Sequence, residues 1–226
     1  HNLELFKSRF KDIKLSGTIG NFDGLHLGHQ AILEKIKNNS QEFNSKTIVF
    51  FTEPHASEYF ASINNLHNKI PPRICSWREK FKLLEKSGID FAFFLKFNNS
   101  LRTMSPENFI SEILDSINLK SFTVGDDFRF GLDRKGDTDQ LREWGKKRGI
   151  LVENTETILY EDERVSSSRI RKALIGNNFK LAEKLLGRPY TFSGKVVHGQ
   201  HLGRTIDIPT ANIWLPKQKL PIQGVY

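Results

Sequence analysis

The chain has 226 residues, 38% of them hydrophobic, which fits one large domain or one domain with a smaller companion. Its single cysteine, Cys75, excludes an intramolecular disulfide and a cysteine-based zinc site, and this favours a reducing cytoplasm. The net charge is +8 and no apolar run approaches the roughly 20 residues of a membrane span, so we expect no membrane association and a solvated basic surface that includes Lys80.

Short apolar runs alternate with helical patterns as far as residue 152. The predicted strands are 15–19, 47–51, 91–95, 122–124 and 150–152, and the predicted helices are 29–37, 77–86, 138–148 and one capped by Ser105. Strands that are apolar at successive positions are buried on both faces, and their alternation with helices indicates parallel βαβ units. The predicted fold class is therefore α/β, a Rossmann-like doubly wound parallel sheet whose ligand lies beyond the carboxyl ends of the strands.

Two further helices are predicted, at 168–175 and 179–186, before the pattern changes at residues 187–189. Residues 190–198 alternate as a strand that is exposed on one face, and 211–215 could be its neighbour, with no helix between them. We therefore assign residues 1–187 to the first domain and residues 188–226 to the start of a small antiparallel β-barrel.

A glycine-rich segment, GNFDGLHLGH at residues 20–29, follows the first strand and leads into the first helix. A turn of this kind presents backbone N–H groups and the positive end of a helix dipole to phosphate. His26 and His29 are three residues apart, so both imidazoles can point to one place and stabilise charge that grows on phosphate oxygens. The glycine spacing matches neither a Walker P-loop nor the Rossmann fingerprint, and no further ligands for zinc lie nearby.

A second segment, SSSRIR at residues 166–171, opens the helix that follows. Hydroxyl groups and an arginine fork at a helix start suit phosphate oxygens. Together with the HLGH motif at 26–29, this segment resembles the nucleotidylyltransferase superfamily, whose motifs have the forms HxGH and ISSTxIR. The resemblance implies transfer of AMP from ATP to a phosphorylated acceptor. It assigns catalysis to His26, His29, Ser168 and Arg171, and ATP binding to Gly20, Asn21, Phe22, Asp23, Gly28 and Ser167.

The acceptor is indicated by the VGDDFRFG stretch at 124–131. On the residues alone, Phe128 and Phe130 are equally consistent with core side chains and with the walls of a flat slot for an aromatic ring system. This stretch, FTEPH at 51–55 and residues 73–90 resemble prokaryotic FAD synthetases, although Ala56 stands where that family has Pro. The resemblance implies FMN as the acceptor, with flavin contacts from Asp127, Phe128, Arg129 and His55.

The last segment resembles the opening of bacterial riboflavin kinases, above all in PTAN at residues 209–212. That resemblance implies ATP-dependent phosphorylation of riboflavin to FMN. It places Thr210 and Asn212 on the magnesium-bound nucleotide, and their oxygen atoms are suitable ligands for Mg²⁺. Asp207 and Ile208 depart from the family's Gly-Phe, and the family's barrel continues well past this point. We therefore expect an incomplete kinase module here.

The chain is thus identified as a member of the prokaryotic bifunctional riboflavin kinase/FAD synthetase family. The expected substrates are ATP, FMN and riboflavin, with Mg²⁺ as cofactor, in the cytoplasm and without nucleic acid or membrane partners. The oligomeric state stays open, with a monomer as one option.

Two alternative functions remain. One is transfer to a different acceptor, such as phosphopantetheine, nicotinamide mononucleotide or a glycerol phosphate. The other is a basic, non-enzymatic nucleic-acid-binding module, which explains the charge but not the Gly-His motif.

Overall fold

A five-stranded parallel sheet forms the centre of the computed structural model, which describes residues 3–66, 70–197, 212–214 and 220–222. The strands are β1 (Leu15–Ile19), β2 (Lys46–Glu53), β3 (Phe91–Lys96), β4 (Leu119–Gly125) and β5 (Leu151–Thr155). Their order in the sheet is β3-β2-β1-β4-β5, and every neighbouring pair is parallel. All five predicted strands are present, and the doubly wound α/β fold is confirmed. The strand order reverses between β1 and β4. A ligand is therefore expected beyond the carboxyl ends of these two strands.

Nine α-helices lie within the described ranges. They are α1 (Leu3–Phe10), α2 (Leu27–Glu42), α3 (Ala56–Ile63), α4 (Trp77–Lys86), α5 (Asn99–Thr103), α6 (Pro106–Phe109), α7 (Thr138–Arg148), α8 (Ser167–Ile175) and α9 (Phe179–Leu186). The helix predicted after Ser105 begins as α6 and continues as a π-helix, Ile110–Leu114. The sequence did not predict the short helices α1, α3 and α5. None of these helices is both long and apolar enough to cross a membrane.

Both faces of the sheet are covered, as the continuous apolar strands predicted. In β2, Ile48 and Phe50 pack in one cluster with residues of α6 and α7, whereas Val49 and Phe51 pack in another with residues of α2 and α4. Successive side chains of a strand point to opposite faces, so one short strand supplies both layers of the core. A third cluster joins α8 to α9.

Lys80 contradicts the expectation of a solvated lysine, because its side chain is only 1% exposed. It lies one helical turn before the buried Leu84 and therefore shares the core-facing side of α4. Its Nζ donates a hydrogen bond to the Asn21 carbonyl at 2.7 Å and lies 4.7 Å from the centre of the Phe51 ring. The ammonium group is thus paired with a backbone oxygen and an aromatic face.

A short antiparallel sheet follows the first domain, as predicted. Before it, the two short strands β6 (Leu159–Tyr160) and β7 (Glu163–Arg164) pair antiparallel between β5 and α8. In the sheet that follows α9, β8 (Lys195–Val197) pairs with β9 (Asn212–Trp214), and Asn212 stands opposite Val197. The predicted magnesium ligand Thr210 lies outside the described residues, and Asn212 is exposed at the start of β9. Their role, like the domain boundary at residue 187, stays a prediction.

Candidate active site

The turn at residues 20–26, which we call the phosphate turn, joins the carboxyl end of β1 to α2. Three of its residues have positive φ angles: Phe22 at 47°, Gly24 at 80° and Leu25 at 41°. Glycine adopts this region freely, but the two others do so at a cost. The side chains of Phe22 and Leu25 are buried in the core cluster that contains α2. Their burial offsets the strain and fixes the shape of the turn.

The carbonyl side of the phosphate turn is held by side chains from other elements. Lys80 of α4 donates to the Asn21 carbonyl, and Ser167 of α8 donates through Oγ to the Asp23 carbonyl at 3.0 Å. Ser167 was predicted to bind ATP, and it also lines the cavity described below. Because buried carbonyl groups need donors, these bonds fix which way the peptide planes of the turn face.

The Asp23 carboxylate is 1% exposed and binds protein groups rather than facing a cavity. It accepts hydrogen bonds from the backbone N–H groups of Ile74 and Cys75 and an ion pair from Arg171 Nη2 at 2.7 Å. Arg171 Nε also donates to the Pro72 carbonyl at 2.8 Å. Two residues predicted to contact ATP are therefore paired with each other. They join the phosphate turn, the 72–75 segment and α8.

The two histidines lie side by side at the start of α2. His26 is the N-cap, its Nδ1 accepts a hydrogen bond from the His29 N–H at 3.4 Å, and the two rings stack with centroids 3.6 Å apart. The pKa of His26 is lowered to about 4, chiefly by burial; the charge of Asp23 opposes this shift, and the charges of Arg164, Arg171 and Arg188 add to it. Burial, then the charges of His26 and Lys80, hold the pKa of His29 well below its usual value. Both imidazoles are therefore neutral near pH 7, and each keeps one N–H to donate.

A cavity of about 400 Å³ opens over this turn. Its walls come from the phosphate turn and α2, from residues 125–128 at the end of β4, from residues 155–158 at the end of β5, and from residues 164–167 before and in α8. The cavity therefore lies at the predicted switch point, beyond the carboxyl ends of β1, β4 and β5. The predicted residues that line it are Gly20, Asn21, Phe22, His26, Gly28, His29, Ser167, Asp127 and Phe128.

Some predicted residues stand outside this cavity, and others were missed. Asp23, Ser168 and Arg171 do not line it, and Ser168 is exposed on the first turn of α8. The sequence reading did not single out Arg164, which forms ion pairs with Asp126 at 2.9 Å and with Asp127 at 3.0 Å. It also missed the 155–158 wall, although the rule that ligands bind beyond strand ends would have pointed to it.

A second cavity of about 730 Å³ shares a wall with the first. The shared residues are Ile19, Gly20, Asn21, Asp127 and Phe128. The remaining wall is rich in large apolar side chains, namely Phe60, Leu95, Phe97, Leu101, Phe109 and Phe130. The rings of Phe128 and Phe130 are nearly parallel, at 15°, with centroids 5.7 Å apart. At this separation the two rings stack on each other, and Phe130 is buried in the core cluster, so a flat ring system would pack against the apolar wall that they help to form rather than between them.

The other two residues predicted to contact flavin differ in their placement. Arg129 lines the second cavity and forms an exposed ion pair with Asp137 at 3.1 Å. His55 lines neither cavity; it is buried, and its Nε2 lies 3.5 Å from Lys80 Nζ. Burial, followed by the positive charges of Lys80 and Arg73, lowers the pKa of His55 to about 4.

Comparisons with known proteins agree with the two-part organisation. Residues 10–169 match the family model for FAD synthetase, and residues 186–226 match that for riboflavin kinase. The bifunctional riboflavin kinase/FMN adenylyltransferase of Escherichia coli (strain K12) is 41% identical over 210 residues, which are 92% of this chain and 66% of that protein. The protein of the same name from Buchnera aphidicola subsp. Schizaphis graminum is 39% identical over 100% of this chain and 70% of its own length. The chain thus spans about two thirds of the length of these curated relatives.

A solved structure is similar over the same range. It is described as a macrolide-efflux protein from Streptococcus pneumoniae. It aligns with a TM-score of 0.79 and 30% identity, covering 96% of this chain and 70% of the other.

Proposed function

Since this chain belongs to the FAD synthetase family, we propose that it transfers the AMP part of ATP to FMN, forming FAD and pyrophosphate. The observation that carries the proposal is the shared wall between the two cavities. One cavity is lined by the phosphate turn, the start of α2 and both imidazoles, which suit a triphosphate, and the other is lined by large apolar and aromatic side chains, which suit a flavin. The phosphate of an FMN molecule in the second cavity would reach the first one at the shared residues Gly20 and Asn21.

The proposed reaction is an in-line displacement at the α-phosphorus of ATP. An FMN phosphate oxygen forms a bond to this phosphorus, the bond from the α-phosphorus to the bridging oxygen breaks, and pyrophosphate leaves with the electron pair. The protein contributes position and oriented donors rather than covalent chemistry. The neutral N–H groups of His26 and His29 would donate to oxygens on which charge grows. The phosphate turn and the start of α2 would add backbone dipoles.

The flavin ring is proposed to lie against Phe128 in the second cavity, with Arg129 at its polar edge. The side chain of Phe128 lines both cavities, so it would orient the ring and the phosphate of the same substrate. Asp23 and Arg171 are proposed to act indirectly, because they hold the turn and do not line the cavity.

Mg²⁺ is the cofactor that the family implies. In the described ranges, no group of three or more His, Cys, Asp and Glu side chains is arranged to hold a metal ion. The carboxylates of Asp126 and Asp127 line the first cavity and are hard oxygen ligands that fit Mg²⁺. Asp126 or Asp127 would hold the ion, which would neutralise phosphate charge when it is bound together with ATP.

A second proposed activity is phosphorylation of riboflavin to FMN, in the protein that carries the whole kinase module. The riboflavin kinase match of residues 186–226 supports it. Thr210 and Asn212 are proposed to serve the magnesium-bound nucleotide of that reaction. We also propose a cytoplasmic location, with small molecules rather than nucleic acid as partners.

Incubation with FMN, ATP and Mg²⁺, followed by chromatography, tests the main proposal through the appearance of FAD. His29→Ala should reduce turnover about a hundredfold, because loss of one donor to a developing oxyanion has an effect of that size. Asn38→Ala, at an exposed position on the same helix, is the matched control and should leave turnover unchanged. No FAD from the wild type, or near-normal turnover in His29→Ala, would contradict the proposal. Product formed only with another phosphorylated acceptor would support the alternative transferase.

A further inference from the structure

Arg188 lies at the junction of the two predicted domains, immediately after α9, and its guanidinium group reaches the phosphate turn. Nη2 donates to the Gly24 carbonyl at 2.7 Å, and Nη1 lies 3.4 Å from the Leu25 carbonyl oxygen and 3.3 Å from that of Leu186. The riboflavin kinase match begins at residue 186 and the FAD synthetase match ends at residue 169. Arg188 therefore lies within the riboflavin kinase match in the sequence, whereas its side chain contacts the phosphate turn of the first domain.

The contact is made at the strained part of the turn. Gly24 and Leu25 both have positive φ angles, and their carbonyl groups lie on the side of the turn that is covered by other elements. Gln30 Nε2 reinforces the link, since it donates at 2.9 Å to the carbonyls of both Leu25 and Leu186. One end of α9 and the bend of the phosphate turn thus share two donor side chains.

The junction also packs tightly against the beginning of α2. Gly187 ends α9 with a φ angle of 68°, and a Cβ atom at this position would lie 2.7 Å from Leu27 Cδ2. Only glycine permits this approach without a shift of its neighbours. The position of Arg188 relative to the turn is therefore set by backbone packing rather than by a mobile side chain alone.

The charge of Arg188 has no anionic partner of its own among the described residues, where the ion pairs involve other arginines and lysines. Its positive charge acts on His26, whose pKa it helps to lower. A cation that binds carbonyl oxygens behind the turn both fixes the peptide planes and leaves a positive potential at His26.

We propose that Arg188 is a positioning residue for adenylyl transfer, which holds the carbonyl side of the phosphate turn so that His26 and the backbone N–H groups face the triphosphate. This inference rests on the proposed function. It implies that the AMP-transferring unit extends past residue 187. It also implies that the segment leading into the kinase module acts on the transfer site through this side chain.

The test compares Arg188→Met, Arg188→Lys and the control Lys184→Gln in the full chain. Lys184 is exposed on the last turn of α9, so its replacement removes one nearby positive charge without touching the turn. Arg188→Met should lower kcat about tenfold, which corresponds to about 1.4 kcal/mol of transition-state stabilisation. The KM for FMN should stay within about twofold, because the flavin slot is not altered. Arg188→Lys should recover part of kcat, since an ammonium group can still donate to a carbonyl oxygen but lacks the planar fork that spans several of them.

Hydrogen exchange supplies a readout that does not depend on turnover. Amides of residues 22–29 should exchange faster in Arg188→Met than in Lys184→Gln, while the exchange of β3 should be equal in both. Unchanged kcat in Arg188→Met, or a loss explained fully by a smaller folded fraction in circular dichroism, would overturn the role. If the wild type forms no FAD, the proposed function is wrong, but this result does not test Arg188. Hydrogen exchange of residues 22–29 then still decides whether Arg188 positions the phosphate turn.

Discussion

The Asp23–Arg171 ion pair predicts a large loss of stability when Asp23 is replaced by Asn. The substitution turns one acceptor oxygen into a donor that faces other donors, and it leaves Arg171 without its anionic partner. Removing one member of a buried pair costs about 3–5 kcal/mol. Because Arg171 is 18% exposed and still bonds to the Pro72 carbonyl, we expect the lower end, about 3 kcal/mol. In a chain of this size that lowers the Tm by about 6–12 °C.

Urea unfolding followed by far-UV circular dichroism measures the effect. The variants are Asp23→Asn, Arg171→Gln and the double replacement, with Asp139→Asn as control. Asp139 pairs with Arg142 but is 85% exposed, so its loss should cost less than about 0.5 kcal/mol. The double variant should lose clearly less than the sum of the single variants, because neither charge remains buried alone. The reasoning is refuted if Asp23→Asn costs no more than the control, or if the two single effects simply add.

Two further predictions concern acid stability and the flavin slot. The folded-state pKa values of His26 and His55, about 4, lie below the usual 6.5, so the unfolded chain binds protons that the folded chain does not. The free energy of unfolding should therefore fall as the pH drops from about 6.5 to 4, by up to about 1.4 kcal/mol per pH unit for each histidine. In urea titrations at several pH values, His55→Gln should reduce this slope. An unaltered slope would contradict the lowered pKa of His55. Phe128→Ala should weaken FMN binding about tenfold, because an aromatic contact contributes about 0.5–1.5 kcal/mol in addition to the burial of apolar surface. A titration followed by FMN fluorescence would measure the Kd. An unchanged Kd would exclude Phe128 from the flavin slot.

The strands were the most predictable part of the fold, because the hydrophobic pattern that identifies them also buries them. Ile48 to Phe51 are all apolar and all fully buried in β2. The predicted bounds of the strands were less accurate where polar residues are buried. β4 begins at Leu119 rather than residue 122, since Ser121 lies in the core although its hydroxyl suggests a turn. A pattern based on hydrophobicity cannot extend a strand through such a residue.

The residues that line the first cavity were easier to predict than the partners that hold them. Glycine and histidine spacing located the phosphate turn because the backbone carries its chemistry. The prediction that Lys80 is solvated was wrong. Lys80 lies between Glu79 and Phe81 in a helix with other charged residues, and its burial depends on what α4 packs against. Asp23 and Arg171 have side chains suited to metal and phosphate, yet they are 148 residues apart and meet each other. Residue type alone does not distinguish a group that binds substrate from one that holds its neighbour.

The charge arrangement around the first cavity gives a physical reason to expect that the supporting residues affect catalysis. Arg171 is paired with Asp23, Arg164 is paired with Asp126 and Asp127, and the two histidines are neutral near pH 7. A triphosphate in this cavity would therefore meet mainly oriented N–H groups and the start of a helix, together with the ion that it brings. Dipoles stabilise a developing charge only while they point at it, since their effect depends on direction as well as distance. Lys80 and Arg188, which bind carbonyl oxygens of the phosphate turn and do not line the cavity, would fix that direction, so we expect them to affect the rate without contacting the substrate.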